Sequence, residues 1–199
     1  FFGYVPGGGL PSAAVGDYLA ALTNPYAGVY AASPGAAEIE NSAIRWLIEM
    51  IGYPDGAWGT LQSGGSLATL TAVVAARETR PAGAWDRGVL YLTDECHLAI
   101  RKALHVAGLG RVATRIVPVD GALRLSVPDL ERMVAEDRAA GREPWMVFAS
   151  AGTVNTGAID PLASMGISSG TDGGADDPRA ACAICGNSAN PISSPSART

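Results

Sequence analysis

The sequence is poor in lysine, cysteine and long apolar runs, and each shortage excludes a class of protein. Lys102 is the only lysine, and the basic residues are scattered in a chain of net charge −5 and pI near 5.0, which argues against nucleic-acid binding. Three cysteines, an odd number, do not make a disulfide framework in 199 residues. No apolar run reaches the roughly 18 residues that span a bilayer, and no signal-peptide pattern opens the chain. We expect a cytoplasmic protein without nucleic-acid or membrane partners.

The overall composition is that of a globular protein, with 48% hydrophobic and 17% charged residues. Because Phe1 is not a methionine and FFGYVPGGG is apolar and rich in glycine, we expect the chain to start inside a longer protein. The last 34 residues contain 20 that are Gly, Ala, Ser or Pro and neither an aromatic residue nor a leucine. Such a segment cannot bury a core face, so residues 166–199 are expected to be coil.

Helices and strands alternate through the middle of the chain. Capping residues, apolar periodicity and glycine or proline stops predict helices over 33–51, 66–78, 95–107 and 126–140. Short apolar runs predict strands over 88–93, 111–119 and 145–150, and residues 60–63 read as the end of another strand. This alternation is typical of right-handed βαβ units, so the predicted fold is α/β with a mostly parallel sheet.

Polar or glycine-rich loops follow the predicted strands at the edge where parallel sheets bind ligands. These are the Gly64-Gly65-Ser66 turn before a helix, the loop TDECH that ends at His97, and the loop AGTVNTGAIDP over 151–161. Uncovered N–H groups and the helix dipole make the first of them a candidate anion site, with an ordinary serine N-cap as the alternative. His105 is interpreted as a packing residue.

Several other motifs are absent or incomplete. There is no G-x-G-x-x-G between a strand and a helix and no G-x-x-x-x-G-K-S/T, and the GGGL near the start reads as a flexible entry loop. Cys182 and Cys185 have the spacing of half a zinc knuckle, but no second pair or nearby histidine completes it, so no metal site is predicted.

Five segments taken in order resemble the group II pyridoxal-phosphate-dependent decarboxylases, the family of aromatic-L-amino-acid, tyrosine, histidine and glutamate decarboxylases. They are FFGYVPGGGLPSAAVGDYLAAL, SPGAAEIENSAIRWLIEMIGYP, LQSGGSLATLTAVVAARE, LTDECHLAIRKALHVAGL and ASAGTVNTGAIDPL. The resemblance covers residues 1 to about 165.

The resemblance implies the aspartate-aminotransferase-like fold (fold type I), with pyridoxal 5'-phosphate between a large α/β domain and smaller flanking segments, and a homodimer in the full-length family. It implies an N-terminal segment and entry helix over 1–55, a partial cofactor-binding domain over 56–165 and a tail unlike the family over 166–199. The implied activity is decarboxylation of an L-amino acid to its amine and carbon dioxide.

The resemblance also assigns roles to residues of this sequence. Gly65 and Ser66 would hold the cofactor phosphate, and His97 matches the catalytic histidine that stacks on the pyridine ring. Thr153 lies in the loop that contacts the cofactor.

Two further positions complete the implied site. Val154 stands where relatives often have a second threonine, so Asn155 is the polar candidate there. Tyr4 matches a tyrosine of the substrate pocket.

Two parts of the implied machinery are missing from the sequence. Nothing in the family places a Schiff-base lysine at Lys102, which reads as a solvated helix charge. Asp172, Asp176 and Asp177 lie in glycine-rich sequence that offers no strand to position a partner for the ring nitrogen. Our hypothesis is that residues 166–199 come from a frame change or premature junction.

Alternative functions therefore stay open. One is a non-catalytic fragment that binds the cofactor or pairs with a complete partner. Another is a different fold type I enzyme, such as a desulfurase or an aldolase.

Overall fold

The computed structural model describes residues 9–51, 57–81, 83–168 and 181–184. The chain divides into two compact units, Phe1–Gly52 and Tyr53–Thr199. Helices α1 (Pro11–Thr23) and α2 (Pro34–Ile51) belong to the first unit. The second contains, in chain order, α3 (Gly65–Glu78), β1 (Gly88–Leu92), α4 (Leu98–Val106), β2 (Ala113–Ile116), α5 (Val127–Ala139), β3 (Glu143–Ala149), α6 (Leu162–Ser168) and β4 (Ala181–Ile184).

Helix α1 of the first unit follows the predicted entry loop GGGL, in a stretch where the sequence analysis predicted no helix. Pro11 occupies the first turn, where its missing N–H costs nothing, and Asn24 ends the helix in the left-handed conformation. No residue of α1 is buried, and Val15, Leu19 and Leu22 are all more than half exposed. Helix α2 agrees with the predicted helix over 33–51.

The second unit is built on a parallel sheet of strand order β2-β1-β3-β4. All three strand pairs are parallel, which confirms the predicted sheet. Every residue of β1 is buried because helices cover the sheet on both faces, and this explains why the strand reads as a continuous apolar run.

Two hydrophobic clusters fill the space between the sheet and its helices. One joins α3 and α4 to the sheet through Val73, Ile100 and Phe148. The other joins α5 and α6 to the opposite face through Leu130 and Met165. Helices on both faces of a parallel sheet confirm the predicted α/β class.

Helix α3 begins differently from the prediction. Gly64 is its N-cap and no side chain caps the helix, so Ser66 lies within the first turn and the serine N-cap alternative is wrong. Residues 57–62 form no strand, so the strand end predicted over 60–63 is also wrong. Among residues 60–63, Leu61 is the only apolar one.

Helix α4 and strand β2 are shorter than predicted. Helix α4 begins at Leu98 rather than Glu95, because residues 93–97 form a turn in which the Cys96 N–H donates to the Thr93 carbonyl at 3.3 Å. Strand β2 covers only four of the nine predicted residues and ends two residues before Pro118, which has no N–H to continue a ladder.

The C-terminal segment departs from the predicted coil at two places. Helix α6 reaches Ser168, and β4 pairs with β3 along the open edge of the sheet. The expectation of coil is therefore wrong for Ala181–Ile184, since an open strand edge offers backbone hydrogen bonds that composition does not reveal. Within the described residues, no helix combines the length and apolar character needed to cross a bilayer.

Candidate functional site

The candidate site lies at the carboxyl edge of the sheet, where β1 and β3 run into the loops 93–97 and 150–160. Helix α3 points its first turn toward the same edge. Its other end faces the amino edge, because Arg80, just beyond the last turn, forms an ion pair of 3.0 Å with Glu143 at the start of β3. The topology thus gathers the three sequence elements that were predicted to form a ligand site.

The first turn of α3 leaves two backbone donors available. The N–H groups of Leu67 and Ala68 both donate to the Gly64 carbonyl, at 3.1 and 3.0 Å. The preceding N–H groups, those of Gly65 and Ser66, have no carbonyl one turn earlier in the helix to bond. Both residues are exposed, so these two N–H groups and the Ser66 hydroxyl are open to a ligand. Their position at a helix N-terminus favours an anion.

His97 is the N-cap of α4 and is exposed. Its ring atom Nδ1 accepts the Ala99 N–H at 3.1 Å, and its carbonyl accepts the Ile100 N–H at 3.0 Å. An imidazole caps this helix in the way that a serine or aspartate side chain usually does. The ring is consequently held at the point where β1 gives way to α4.

Cys96 links the loop before α4 to the end of β3. Its thiol donates to the Phe148 carbonyl at 3.6 Å and lies 3.7 Å from the Thr93 hydroxyl. Burial raises the pKa of the Cys96 thiol, and the charge of Asp160 adds to the rise, while hydrogen bonds from Thr93 and Ser150 oppose it. Cys96 is therefore a neutral thiol that packs beneath the carboxyl edge of the sheet.

The loop after β3 is a closed turn that holds Thr153. The Thr153 N–H donates to the Ala158 carbonyl at 2.9 Å, and the Thr153 carbonyl accepts the Gly157 N–H at 2.9 Å. Gly152 and Gly157 have φ angles of 110° and 71°, which favour glycine. The hydroxyls of Thr153 and Thr156 lie 2.6 Å apart, and Thr153 is buried. The loop is thus fixed before any ligand arrives.

Asp160 fastens this loop to the chain before α5. One carboxylate oxygen accepts the Ser150 N–H and the other accepts the Leu125 N–H, each at 2.7 Å. The side chain is buried, and the Asp160 N–H returns a bond of 2.9 Å to the Ser150 carbonyl. A buried carboxylate that receives two backbone donors sets the spacing of the two segments it joins.

The structure brings Gly65, Ser66, His97 and Thr153 to one edge of the sheet, and Asn155 is exposed in the same loop as Thr153. Tyr4, Asp172, Asp176, Asp177 and Cys185 lie outside the described residues, and for Cys182 only its place in strand β4 is described. Lys102 is exposed on α4.

Sequence reasoning missed Cys96, Thr156 and Asp160 as supports of the site. The available signal was the stretch GAIDPL, in which an acidic residue between an apolar residue and a proline follows a strand.

The family model described as the pyridoxal-dependent decarboxylase conserved domain matches residues 1–169. The chain belongs to this family. Among curated relatives, the chain is 38% identical over 162 residues to the aromatic-L-amino-acid decarboxylase of Bacillus atrophaeus, covering 81% of this chain and 34% of that protein. It is 31% identical over 169 residues to human cysteine sulfinic acid decarboxylase, covering 81% and 34%.

A solved structure shows the same fold as this chain. The crystal structure of Oryza sativa TDC with PLP and tryptamine superposes with a TM-score of 0.71 at 27% identity, covering 81% of this chain and 36% of that one. The fold is therefore the fold type I α/β fold in partial form, and the cofactor of the family is pyridoxal phosphate. The chain spans about a third of the length of the curated relatives it matches.

Proposed function

We propose that the protein to which this chain belongs is a carboxy-lyase that converts an L-amino acid to its amine and carbon dioxide with pyridoxal 5'-phosphate. The observation that carries the proposal is the open first turn of α3, with Gly65 and Ser66, at the same sheet edge as His97 and Thr153 in a chain of the decarboxylase family. When bound, the cofactor supplies a pyridine ring that accepts the electrons left as the Cα–carboxylate bond breaks.

The residues present fit the phosphate of this cofactor. A phosphomonoester carries up to two negative charges and needs several donors, and the first turn of α3 offers two backbone N–H groups and the Ser66 hydroxyl. The helix dipole also favours negative charge at the N-terminus of α3, which would stabilise a bound phosphate. Gly65 and Ser66 would therefore fix one end of the cofactor.

The remaining site residues would orient the ring and the substrate. The flat imidazole ring of His97 is held in place by its hydrogen bond to the start of α4, and it would lie against the cofactor ring. Thr153 and Asn155 would contribute polar contacts from the loop after β3. Tyr4, which the family resemblance assigns to the substrate pocket, stays a prediction.

Turnover requires groups that this chain does not supply. Its one lysine, Lys102, is exposed on α4, and the chain spans only a third of its relatives. The proposed contribution of these residues is therefore cofactor binding and orientation, and the covalent chemistry belongs to the rest of the protein.

The relatives act on different amino acids by name, aromatic in one case and cysteine sulfinic acid in the other. The proposed substrate is therefore an L-amino acid of unspecified side chain. We also propose that the whole protein is a cytoplasmic homodimer, and the exposed apolar side chains of α1 support an association surface in the first unit. Sedimentation of the full-length protein would test the dimer.

Equilibrium dialysis of the 199-residue chain tests the phosphate site. Pyridoxine 5'-phosphate is a suitable probe because it has no aldehyde and cannot react with Lys102. We expect it to bind more tightly than pyridoxine, which lacks the phosphate. Replacing Ser66 by aspartate should remove this preference by charge repulsion. Ser164→Asp puts the same charge into the first turn of α6 as a control and should leave the preference intact.

Equal binding of the two probes by the unmodified chain would contradict a phosphate site at α3. The reaction itself is tested in the full-length protein, by carbon dioxide release from aromatic and acidic L-amino acids. No release from any L-amino acid would contradict the proposed activity.

A further inference from the structure

The way in which His97 caps α4 restricts the chemistry of its ring. The contact is made by Nδ1, which accepts the Ala99 backbone N–H at 3.1 Å. A backbone amide is always the donor, so the ring atom that meets it must offer a lone pair. Nδ1 consequently carries no hydrogen in this arrangement.

A neutral imidazole has one N–H and one bare nitrogen, and it exists as either of two tautomers. Since Nδ1 is the bare nitrogen here, the hydrogen must be on Nε2. The bond also fixes the ring orientation, because a ring that turned away would leave the Ala99 N–H at the helix start without its acceptor. Tautomer and orientation are therefore set by the chain's own backbone.

We propose that the Ala99 N–H is a positioning group that holds His97 as the Nε2–H tautomer, with Nε2 presented as a hydrogen-bond donor. The inference deepens the proposed function and rests on it for the identity of the ligand that meets the ring. The atom that meets Nε2 must be an acceptor. His97 cannot take a proton on Nε2 in this state, and protonation on Nδ1 would remove the helix cap.

The position of His97 strengthens the assignment. The imidazole is exposed, so Nε2 is reachable by a ligand, while the capped nitrogen faces the first turn of its own helix. His105, in the last turn of α4, is exposed as well but is not an N-cap. The chain has only these two histidines, so one serves as an internal comparison for the other.

Nitrogen NMR of the chain labelled with ¹⁵N-histidine and ¹⁵N-alanine tests the proposal without any cofactor. Spectra are recorded above pH 8, where imidazoles are ordinarily neutral, and His105→Asn assigns the two sets of signals. We expect His97 to show one bare and one protonated nitrogen, with Nδ1 bare and coupled across the hydrogen bond to the Ala99 amide. His105 should show signals averaged between tautomers. Magic-angle spinning gives the same information if the sample associates.

Averaged His97 signals like those of His105, or a hydrogen on Nδ1, would overturn the proposal. Because the measurement uses the free chain, this outcome is independent of whether pyridoxal phosphate binds. A failure of the dialysis experiment with the expected NMR result would instead contradict the proposed function alone.

Two substitutions separate the cap from the ring. His97→Asn keeps a side-chain acceptor for the Ala99 N–H and removes the imidazole, whereas His97→Phe keeps a flat ring and removes the acceptor. We expect the Ala99 amide to exchange with solvent at a similar rate in the unmodified chain and the Asn variant, and roughly 2- to 30-fold faster in the Phe variant. Equal exchange rates in the Asn and Phe variants would show that His97 does not cap the helix.

Discussion

The Tyr91 hydroxyl donates to the Asp137 carboxylate at 2.5 Å across the interface between β1 and α5. Asp137 is fully buried and also pairs with Arg115, at 3.1 Å, and with Arg142. Burial, with the hydrogen bond to Asp137 and its charge, raises the pKa of Tyr91 well above the usual 10.0. This network holds α5 on the sheet face opposite α3 and α4.

Tyr91→Phe should lower the free energy of unfolding by about 1.5–3 kcal/mol near neutral pH, the usual range for a hydrogen bond to a charged group. Urea unfolding measures it. Tyr18→Phe, at an exposed tyrosine of α1, is the control and should change the value by less than about 0.5 kcal/mol. A loss of the same small size in both variants would contradict a stabilising role for the Tyr91 bond.

The same network predicts the dependence of stability on alkaline pH. Because the folded state holds the Tyr91 proton more tightly than the unfolded chain, its contribution is complete below pH 10.0 and decreases as the pH rises above that value. The free energy of unfolding should therefore fall more steeply above pH 10.0 in the unmodified chain than in Tyr91→Phe. Parallel curves for the two proteins would contradict the assignment.

Asp160→Asn should loosen the loop that carries Thr153. An amide has only one acceptor oxygen. Either the Ser150 or the Leu125 N–H therefore loses its acceptor and faces the NH₂ group of the new side chain, which is itself a donor. We expect a loss of about 1.5–3 kcal/mol in the free energy of unfolding. Amide exchange should also speed up at Ser150 or Leu125. Asp94→Asn removes an exposed carboxylate paired with Arg101 and should leave both measurements nearly unchanged.

The sheet and its helices could be predicted because their signals are local. Continuous apolar runs such as β1 mark strands buried on both faces, and Ser126 and Asp129 make a capping arrangement that the structure reproduces at the start of α5. Helix α1 was missed because its apolar residues are exposed rather than packed against a core within the first unit. Apolar residues such as Val15 and Leu19 are on its exposed surface. The sequence of α1 therefore does not show a polar face opposite an apolar face, which is the pattern that usually identifies a surface helix.

The residues that hold the site in place were harder to predict than the residues that are expected to contact the ligand. Glycine turns and a histidine after strands are visible in sequence, and they led to Gly65, Ser66 and His97. The roles of Asp160 and Cys96 depend on partners 10 to 52 positions away, namely Ser150, Leu125 and Phe148. Such contacts exist only after the strands have paired, so a local pattern such as GAIDPL could mark Asp160 as unusual but could not identify its partners.

Cys96 should react slowly with iodoacetamide. Only the thiolate reacts, and burial raises the pKa of this thiol, so the folded chain has less thiolate at pH 8 than the unfolded chain. Peptide mapping after timed alkylation measures Cys96 separately from the other cysteines. As the pH is increased, alkylation of Cys96 should accelerate at a higher pH in the native chain than in the chain unfolded by urea. Labelling of native Cys96 as fast as in urea would show that the thiol is not shielded.

A single backbone N–H of α3, that of Gly65, should contribute to phosphate binding. Gly65→Pro removes that N–H at the first helical position, where proline is well tolerated, and the preceding Gly64 is already extended with ψ of 161°. Gly65→Ala adds a Cβ and keeps the N–H. Pyridoxine 5'-phosphate should bind the proline variant about tenfold or more weakly than the alanine variant, which corresponds to one hydrogen bond to a charged group.

Pyridoxine separates this effect from damage to the helix. Without a phosphate it does not need the Gly65 N–H, so its affinity should be the same in the proline and alanine variants. A parallel loss for both probes would mean that proline distorts the first turn of α3. Equal affinity of the two variants for pyridoxine 5'-phosphate would place the phosphate away from Gly65, because the only backbone donor that differs between them would then have no effect.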